Sequence, residues 1–544
     1  MDIVTAQTGQ ADAPDQSGRK PLRVAVLLDS QVQPAWLYAM LERVRALAFV
    51  ELCLVIKRTG HVGRDGGDPL LWSLYRRIDD KLFGRGSDAL GLRDMATLTE
   101  RAPAIELASA SDPNIERIVG YDLDVILDLA AFDSRDELRR ASRHGLWRYE
   151  FGHRPLQDAS AVGLREVVEG LPLTDSALVG LMTDGTVVRL YGSQSRTVPF
   201  SPRRNRDNVY WKSAAFAARA LTDLYWSQTP GGTPRTGQPE GKGGRPELAR
   251  VLAQSGAGIA RRGMQKLAYI DQWFVAFRFG NDAAPPDSLT GFLPMMPPKD
   301  RFWADPFPIE RDGRHFVFIE ELPFATNKGH ISVMEVWPDG RWTKPIKVLE
   351  RDYHLSYPFL FEWQGALFMI PETGQNRTVE VYRCHRFPDD WRLESVLLEN
   401  RRTADATLAS IGDRWWMFVN IGEDGTELYD ELHLFHADQP FGKWTPHRGN
   451  PVKSDALSAR PAGNLFQWQG ELYRPAQVCA PLYGTAIALN KIERLDPDHF
   501  VEREVRRLDP AWQPGLLGCH TYNRAGGLTV VDGFRRTPRW GSPA

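Results

Sequence analysis

A chain of 544 residues is long enough for two or three domains, each with its own core. Its apolar fraction of 42% and charged fraction of 25% are ordinary for a globular protein, and a formal net charge of -2 gives no reason to expect nucleic acid or an anionic membrane as the main partner. Four cysteines, Cys53, Cys384, Cys479 and Cys519, are too few and too scattered for a disulfide framework or a zinc site.

In chain order, residues 1–21 read as a polar tail without the apolar core of a signal peptide. No later apolar run reaches the length that crosses a bilayer, so a reduced, cytoplasmic location is expected. LRVAVLLDS (Leu22 to Ser30) is a short apolar strand, PAWLYAMLERVRAL has helical spacing, and VELCLVIKR and YDLDVILDLAAF (Tyr121 to Phe132) are further strands. Strands alternating with helices predict an α/β domain over residues 22–227, with a parallel sheet covered on both faces. No GxGxxG follows the first strand, so the dinucleotide fingerprint is missing. Asp122 and Asp124 sit in a strand context that makes them poor metal sites, and no HExxH or paired CxxC occurs, so neither metal nor cofactor is expected.

Two basic clusters, Arg203, Arg204 and Arg206 with Lys212, and His144 and His153 with Arg154, read first as surface or loop salt bridges. The alternative is a diphosphate or carboxylate site, since arginine offers a planar fork of donors. Residues 228–247, dense in Gly, Pro, Thr and charge, read as a flexible linker. LARVLAQSGAGIARRGMQKLAYI then reads as one or two helices with a basic face (Arg261, Arg262, Lys266). Its apolar face is short, so docking on the following domain is expected ahead of a membrane surface. QWFVAFRFG (Gln272 to Gly280) is a strand, and residues 248–284 together are read as a helix and a closing strand.

From Trp303 to Asn523 one phrase recurs five times: WADPF, SYPFLF, ADATL, ARPAGNLF and HTYN. Between Asp305, Pro358, Asp405, Pro461 and Thr521 the steps are 53, 47, 56 and 60 residues. The first four copies each lead through a Gly- or Asp-centred turn into a strand rich in aromatic and β-branched residues. A period of roughly 40 to 60 residues built from such strands predicts a β-propeller with one blade per repeat. Residues 285–536 are therefore expected to form an all-β five-bladed propeller, with 537–544 as a tail. The fifth blade lacks strands after HTYNRAGGLTVVDGF and should be completed by the early strand, which leaves few open edges. The 17 Trp concentrate in this half and read mainly as blade packing, with sugar-stacking platforms as the alternative.

If each phrase is an innermost strand, five copies converge on one axis. They offer Asp305, Asp405, Arg460 and His520, with Ser356, Tyr357, Ser458 and Tyr522 beside them. The ends of the adjacent strands add Glu320, Glu321, Glu372 and Arg474. Glycosyl transfer needs such a set: one carboxylate as base or nucleophile, another group as acid, and donors for sugar hydroxyls. Structural roles compete. An aspartate before proline can cap a turn, Asp405 can cap a strand end, Glu320 and Glu321 can be salt-bridged, and His520 can be packed. A cap alone would favour the same residue in every blade, yet the five copies differ in charge.

WADPF, the five-blade count and the order of the repeats resemble the five-bladed furanosidase-like superfamily of arabinanases, β-xylosidases and invertases. They resemble more closely the propeller domain of the plant glucosamine inositolphosphorylceramide transferases and bacterial relatives, over about residues 285–536. The resemblance implies Asp305 as general base or nucleophile, Asp405 as the aspartate that tunes the acid and orients the sugar, and His520 as a histidine near the axis. The glutamate that serves the hydrolases as general acid has no counterpart, because SARP puts Ser458 and Arg460 there, and Glu372 or Glu321 would have to substitute.

RHGLWRYEFGHRP from Arg143, with GLREVVEGLPLTDSALVGLMTDGTVV and PFSPRRNRDNVYWKSAAF, resembles the formyltransferase fold family over roughly residues 22–225. That family uses an Asn-x-His strand and a later aspartate to move a formyl group from a folate. Gly145 keeps the turn and Asp184 is the match for the aspartate, but Arg148 and Glu150 stand where the asparagine and histidine belong. A guanidinium and a carboxylate do not replace a neutral acid/base pair, which implies a degenerate domain.

The expected catalytic set is Asp305, Asp405, Glu372 and Glu321, and the expected binding set is Tyr357, Arg460, Arg474, His520, Tyr522 and Trp303. With a nucleotide sugar the leaving group is already good, and Arg460 stabilising developing negative charge can replace a proton donor. The leading expectation is a glycosyltransferase of surface polysaccharide or glycolipid assembly. Its partners would be a sugar or nucleotide sugar and a glycan or glycolipid acceptor, without nucleic acid and with peripheral membrane contact left open. A furanosidase-like hydrolase, a non-catalytic carbohydrate-binding scaffold, and formyl or acyl transfer to an amino sugar through Glu150 and Asp184 remain alternatives.

Overall fold

The computed structural model describes residues 19–59, 70–83, 88–108, 112–130, 135–152, 154–155, 162–227, 229–230, 232–234, 248–280, 288–423 and 425–540. The tail up to residue 18, most of the 228–247 linker and His153 lie outside the described residues. The chain divides into two compact units, residues 1–258 with 424–426, and residues 259–423 with 427–544.

In the first unit the strand Leu22–Leu28 is central, pairing in parallel with Val50–Arg58 and Val125–Asp128. Ala104–Leu107 extends the sheet on one side and Leu146–Phe151 on the other, both parallel. Direction then reverses, because Leu146–Phe151, Leu173–Leu181 and Val187–Arg196 pair antiparallel. The sheet is therefore mixed where a parallel one was expected. The last two strands are joined by a tight turn in which Asp184 Oδ1 accepts from the Thr186 backbone N–H and hydroxyl, and so short a connection permits only an antiparallel neighbour.

Both faces of this sheet are covered. Val24, Val26, Tyr149 and Phe216 belong to one buried cluster, in which Trp36 stacks on Tyr210 with ring centroids 5.0 Å apart. Ala25, Leu27, Leu54 and Ile118 belong to a cluster on the other face. Gly145 has φ 74°, and a Cβ there would lie 2.0 Å from the Leu181 carbonyl oxygen, so the turn admits glycine alone.

The second unit is a ring of five antiparallel sheets. Four begin with the inner strands Arg301–Arg311, Ser356–Trp363, Arg402–Ile411 and Phe466–Trp468, each followed outward by strands in sequence order. The fifth mixes the two ends of the propeller segment: Tyr269–Phe279 pairs antiparallel with Leu528–Pro538 from Tyr269↔Pro538 to Phe279↔Leu528. Leu293–Met295 lies outside it, and Tyr522–Ala525 and Leu516–Gly518 pair with Leu528–Pro538 on its inner side. The closing strand is thus an integral part of the propeller.

Phe274 of that strand is fully buried beside Trp512, Leu489 and Val531. Phe274→Ala should cost about 3–5 kcal/mol in a urea titration, because the cavity opens where the ring is closed. A loss under about 1 kcal/mol would show that closure does not depend on this strand.

The repeated phrase has a local geometry. Asp305, Tyr357 and Asp405 have φ of 49°, 46° and 54°. They sit where the register shifts between Ala304/Phe307, Ser356/Phe359 and Ala404/Thr407. Each is a β-bulge, which bends the strand and re-aims one residue. The second-blade counterpart of Asp305 is therefore Tyr357 and not Pro358; the shared proline, Pro306 and Pro358, comes one position later.

The segment after the linker forms one helix, Leu248–Ala268. Docking was expected, yet from Ile259 to Leu267 every side chain except Gln265 is exposed. Among the described residues no helix is long and apolar enough to cross a membrane, and all four cysteines are free.

Candidate active site

Asp305 is placed by the bulge that opens the first blade. Its Oδ1 accepts from the Thr521 hydroxyl at 2.8 Å and lies 3.3 Å from His520 Nε2, while Oδ2 accepts from the Tyr357 backbone N–H at 3.2 Å. His520 Nδ1 lies 2.7 Å from Asp532 Oδ2. Asp532 Oδ1 accepts from the backbone N–H groups of His520 and Thr521 at 2.8 and 3.1 Å. The result is a buried relay, carboxylate to imidazole to carboxylate, with Asp305, His520 and Asp532 only 5%, 3% and 0% exposed.

Burial pushes the Asp305 carboxyl up to about 7; His520 pulls the other way, and Glu320, Asp405 and Asp532 add to the rise. For His520 burial acts downward, but Asp532 and Asp305 overcome it and lift the imidazole to about 9. Near neutral pH the imidazole is thus charged while Asp305 is poised between its two forms, titrating as one coupled system. The same three side chains put ligand atoms within 4.8 Å of one another, a spacing that could also hold a metal ion.

A second set is built around Asp405, the third-blade bulge residue. Arg460 Nε donates to Asp405 Oδ2 at 2.6 Å, its Nη2 to Asp405 Oδ1 at 3.2 Å and Glu372 Oε2 at 3.0 Å, and its Nη1 to the Leu428 carbonyl at 2.8 Å. Gln477 Nε2 donates to Asp405 Oδ2 at 2.7 Å. Burial, reinforced by the Asp405 charge and opposed by Arg460, holds the Glu372 carboxyl well above the usual carboxylate range. Tyr483 joins the two sets: Arg460 lies 5.1 Å from its ring centre, and its ring meets His520 edge-on at 5.4 Å. Trp273 covers His520 from another side, ring centroids 4.1 Å apart.

The remaining expected site residues lie elsewhere. Glu321 accepts from Arg301, Trp303 Nε1 and the Ser332 hydroxyl and pairs with His330, which holds it well below the usual carboxylate range despite burial. A carboxylate so fully satisfied is a poor proton donor, and Trp303 shares its network and packs among Val317, Ile319 and Met334. Arg474 is fully buried, pairs with Glu502 and donates to the Ser458 carbonyl. The Tyr522 ring packs against Phe466 in an apolar cluster. The Tyr357 hydroxyl bonds Thr407 Oγ1 and Gly463 N, so its backbone and not its ring meets Asp305. Glu320 Oε1 lies 3.1 Å from His354 Nε2; the Gly329 N–H donates to His354 Nδ1, which fixes the tautomer.

In the first unit Arg148 donates twice to Glu150, both buried, and Asp184 caps its turn. Arg203 pairs with Asp80 and Asp207, Arg206 with Asp207, Arg143 with Asp122 and Asp124, and Lys212 donates to Ser193 and Ser195.

Asp532, Gln477, Asn420, Tyr483, Trp273 and His354 were missed in the sequence. For the first three a signal exists. Register sets Ala304 opposite Glu320, Ser356 opposite Glu372 and Ala404 opposite Asn420. Gln477 N donates to the Arg460 carbonyl, and Asp532 receives the N–H groups of His520 and Thr521. The second strand of every blade therefore carries one polar residue after apolar neighbours at the same position, in FVFIE, FMIPE, MFVN, PAQ and VVD, which is a second five-fold phrase.

Residues 295–510 match the family model described as glucosamine inositolphosphorylceramide transferase 1, N-terminal. The propeller resembles these plant transferases. The glucosamine inositolphosphorylceramide transferase 1 of Oryza sativa subsp. japonica is 35% identical over 249 residues, 43% of this chain and 33% of the relative. That of Arabidopsis thaliana is 32% identical over 211 residues, 38% of this chain and 27% of the relative. The chain thus spans about a third or less of the length of the curated relatives it matches.

Among solved structures it is similar to Zg3597, a family 117 glycoside hydrolase of Zobellia galactanivorans, with TM-score 0.32 and 11% identity, covering 49% of this chain and 90% of that one. It is also similar to the α-L-arabinofuranosidase PaAbf62A of Podospora anserina, with TM-score 0.33 and 10% identity, covering 50% and 97%.

Proposed function

We propose that this chain is a carbohydrate-active enzyme, a glycosyltransferase of glycolipid or surface-polysaccharide assembly whose sugar site lies at the propeller axis. One observation carries the proposal: a buried Asp305 poised near neutrality, tied through His520 to Asp532, shares the inner ends of the blades with a carboxylate pair, Asp405 and Glu372, bridged by Arg460. The sequence relatives, named glucosamine inositolphosphorylceramide transferase 1, support the substrate class. In this reading Asp305 accepts the proton of the attacking hydroxyl. Trp273 and Tyr483, both partly exposed, offer apolar faces to the sugar.

Arg460 takes a different role from the one the sequence led us to expect. Its fork is committed to Asp405, Glu372 and the Leu428 carbonyl, so it orients those carboxylates and is not available for a phosphate. Glu372, protonated at neutral pH, supplies the missing acid. That favours a second reading, furanosidase-like hydrolysis, in which the same acid serves a poorer leaving group.

The pH–rate profile and Glu372→Gln test this pair of roles. Turnover should rise through about pH 7 as Asp305 ionises and fall on the alkaline side as Glu372 and then His520, near 9, lose their protons. Glu372→Gln should remove the alkaline limb set by Glu372 and slow substrates with poor leaving groups by about 10²-fold or more, sparing activated ones. A profile flat from pH 6 to 9 would contradict both assignments. For the first unit we propose a formyltransferase-like ancestry without formyl transfer, supported by the buried Arg148–Glu150 pair at the expected acid/base positions, and a cytoplasmic location for the whole.

A further inference from the structure

Independently of the sugar site, we propose that the C-terminal half of the helix Leu248–Ala268, with Arg539 and Trp540 beside it, is an interfacial face that binds an anionic lipid bilayer. The helix carries Arg250, Arg261, Arg262 and Lys266 and no acidic residue. In its half within the propeller unit Ile259, Met264 and Leu267 are 43%, 63% and 68% exposed, and Tyr269 just beyond is 41% exposed.

The last strand returns to the same place. The Arg539 backbone N–H donates to the Ala268 carbonyl and its Nε to the Lys266 carbonyl, which seats Trp540, 76% exposed, at the end of the helix. Large apolar side chains turned to solvent, a tryptophan at their edge and basic residues interleaved with them are the composition of a segment lying in the headgroup region. The charge decides the occupant. Arg261, Arg262, Lys266 and Arg539 attract a negatively charged surface, which the overall net charge of -2 conceals.

Flotation of the full chain tests this, using vesicles of phosphatidylcholine with about one third phosphatidylglycerol against phosphatidylcholine alone, at low and high salt. The wild type should float with the anionic vesicles only and be released by salt. Arg261→Glu with Lys266→Glu, and separately Leu267→Glu with Trp540→Glu, should each lower the bound fraction about tenfold or more while keeping the wild-type urea midpoint. Undiminished flotation of either double variant, or no flotation of the wild type, would overturn the proposal. So would a wild-type dimer in light scattering that Leu267→Glu splits, because the face would then serve a second copy of the chain.

Discussion

Asp305→Asn is expected to lower turnover by about 10²- to 10⁴-fold while leaving the fold intact, because it removes the proton acceptor and keeps the shape. The stability change has a definite sign. The carboxyl titrates near 3.8 when exposed and at about 7 in the folded chain, so the folded state holds the extra proton across that window, and stability falls as pH rises through it.

His520 acts in the same direction. Its proton affinity is raised from 6.5 to about 9, so its contribution is complete below pH 6.5 and is lost as pH rises to about 9. The wild-type Tm should therefore decline from about pH 5 to about pH 9. In Asp305→Asn the decline below pH 7 should become shallower, leaving the part that Glu372 contributes between 4.5 and about 8, and the His520 limb should move to lower pH, since one of its two carboxylate partners has become neutral. Stability at pH 8 should stay within about 1 kcal/mol of wild type. A large loss there would mean that Asp305 serves mainly as an ion-pair partner.

Arg460→Met is expected to be among the most destabilising single changes in the propeller, by about 3–5 kcal/mol in urea at neutral pH. Asp405 would remain buried beside Glu372 with no cation to pair with it. Asp405→Asn in the same chain should recover part of the loss, because it removes the carboxylate that the guanidinium holds by two hydrogen bonds. Arg460→Lys keeps the charge but loses the two-pronged contact to Asp405 and the planar contact with Tyr483, so an intermediate loss is expected. A cost below about 1 kcal/mol for Arg460→Met would show that the pairing is incidental.

The propeller was legible because its first three blades repeat one bulge, and a bulge tolerates few residues. Asp305, Tyr357 and Asp405 announce it, with proline next in the first two. The closing strand was legible from arithmetic alone, since the last repeat had too few strands. The alignment slipped by one in the second blade because proline is the more conspicuous letter, although the residue before it holds the left-handed backbone.

Side-chain direction was not legible. Glu320 and Glu321 are adjacent in a strand and point to opposite faces, so one meets His354 while the other joins Arg301 and His330. Arg474 and Glu502 pair across 28 residues, and Asp532 meets Asp305 from the opposite end of the unit. The first is set by the meander of one blade and the second by the closed ring, and neither leaves a local trace. In the first unit the reversal after Leu146–Phe151 was hidden because a buried antiparallel strand such as ALVGL is as uniformly apolar as a parallel one.

The most direct test of a sugar-transfer site centred on Asp305 is nucleoside diphosphate release from a panel of nucleotide sugars with a mixed glycan and lipid acceptor, wild type against Asp305→Asn. The account predicts release from at least one donor by the wild type and its loss in the variant. Release that Asp305→Asn leaves unchanged, or none from any donor, would contradict it.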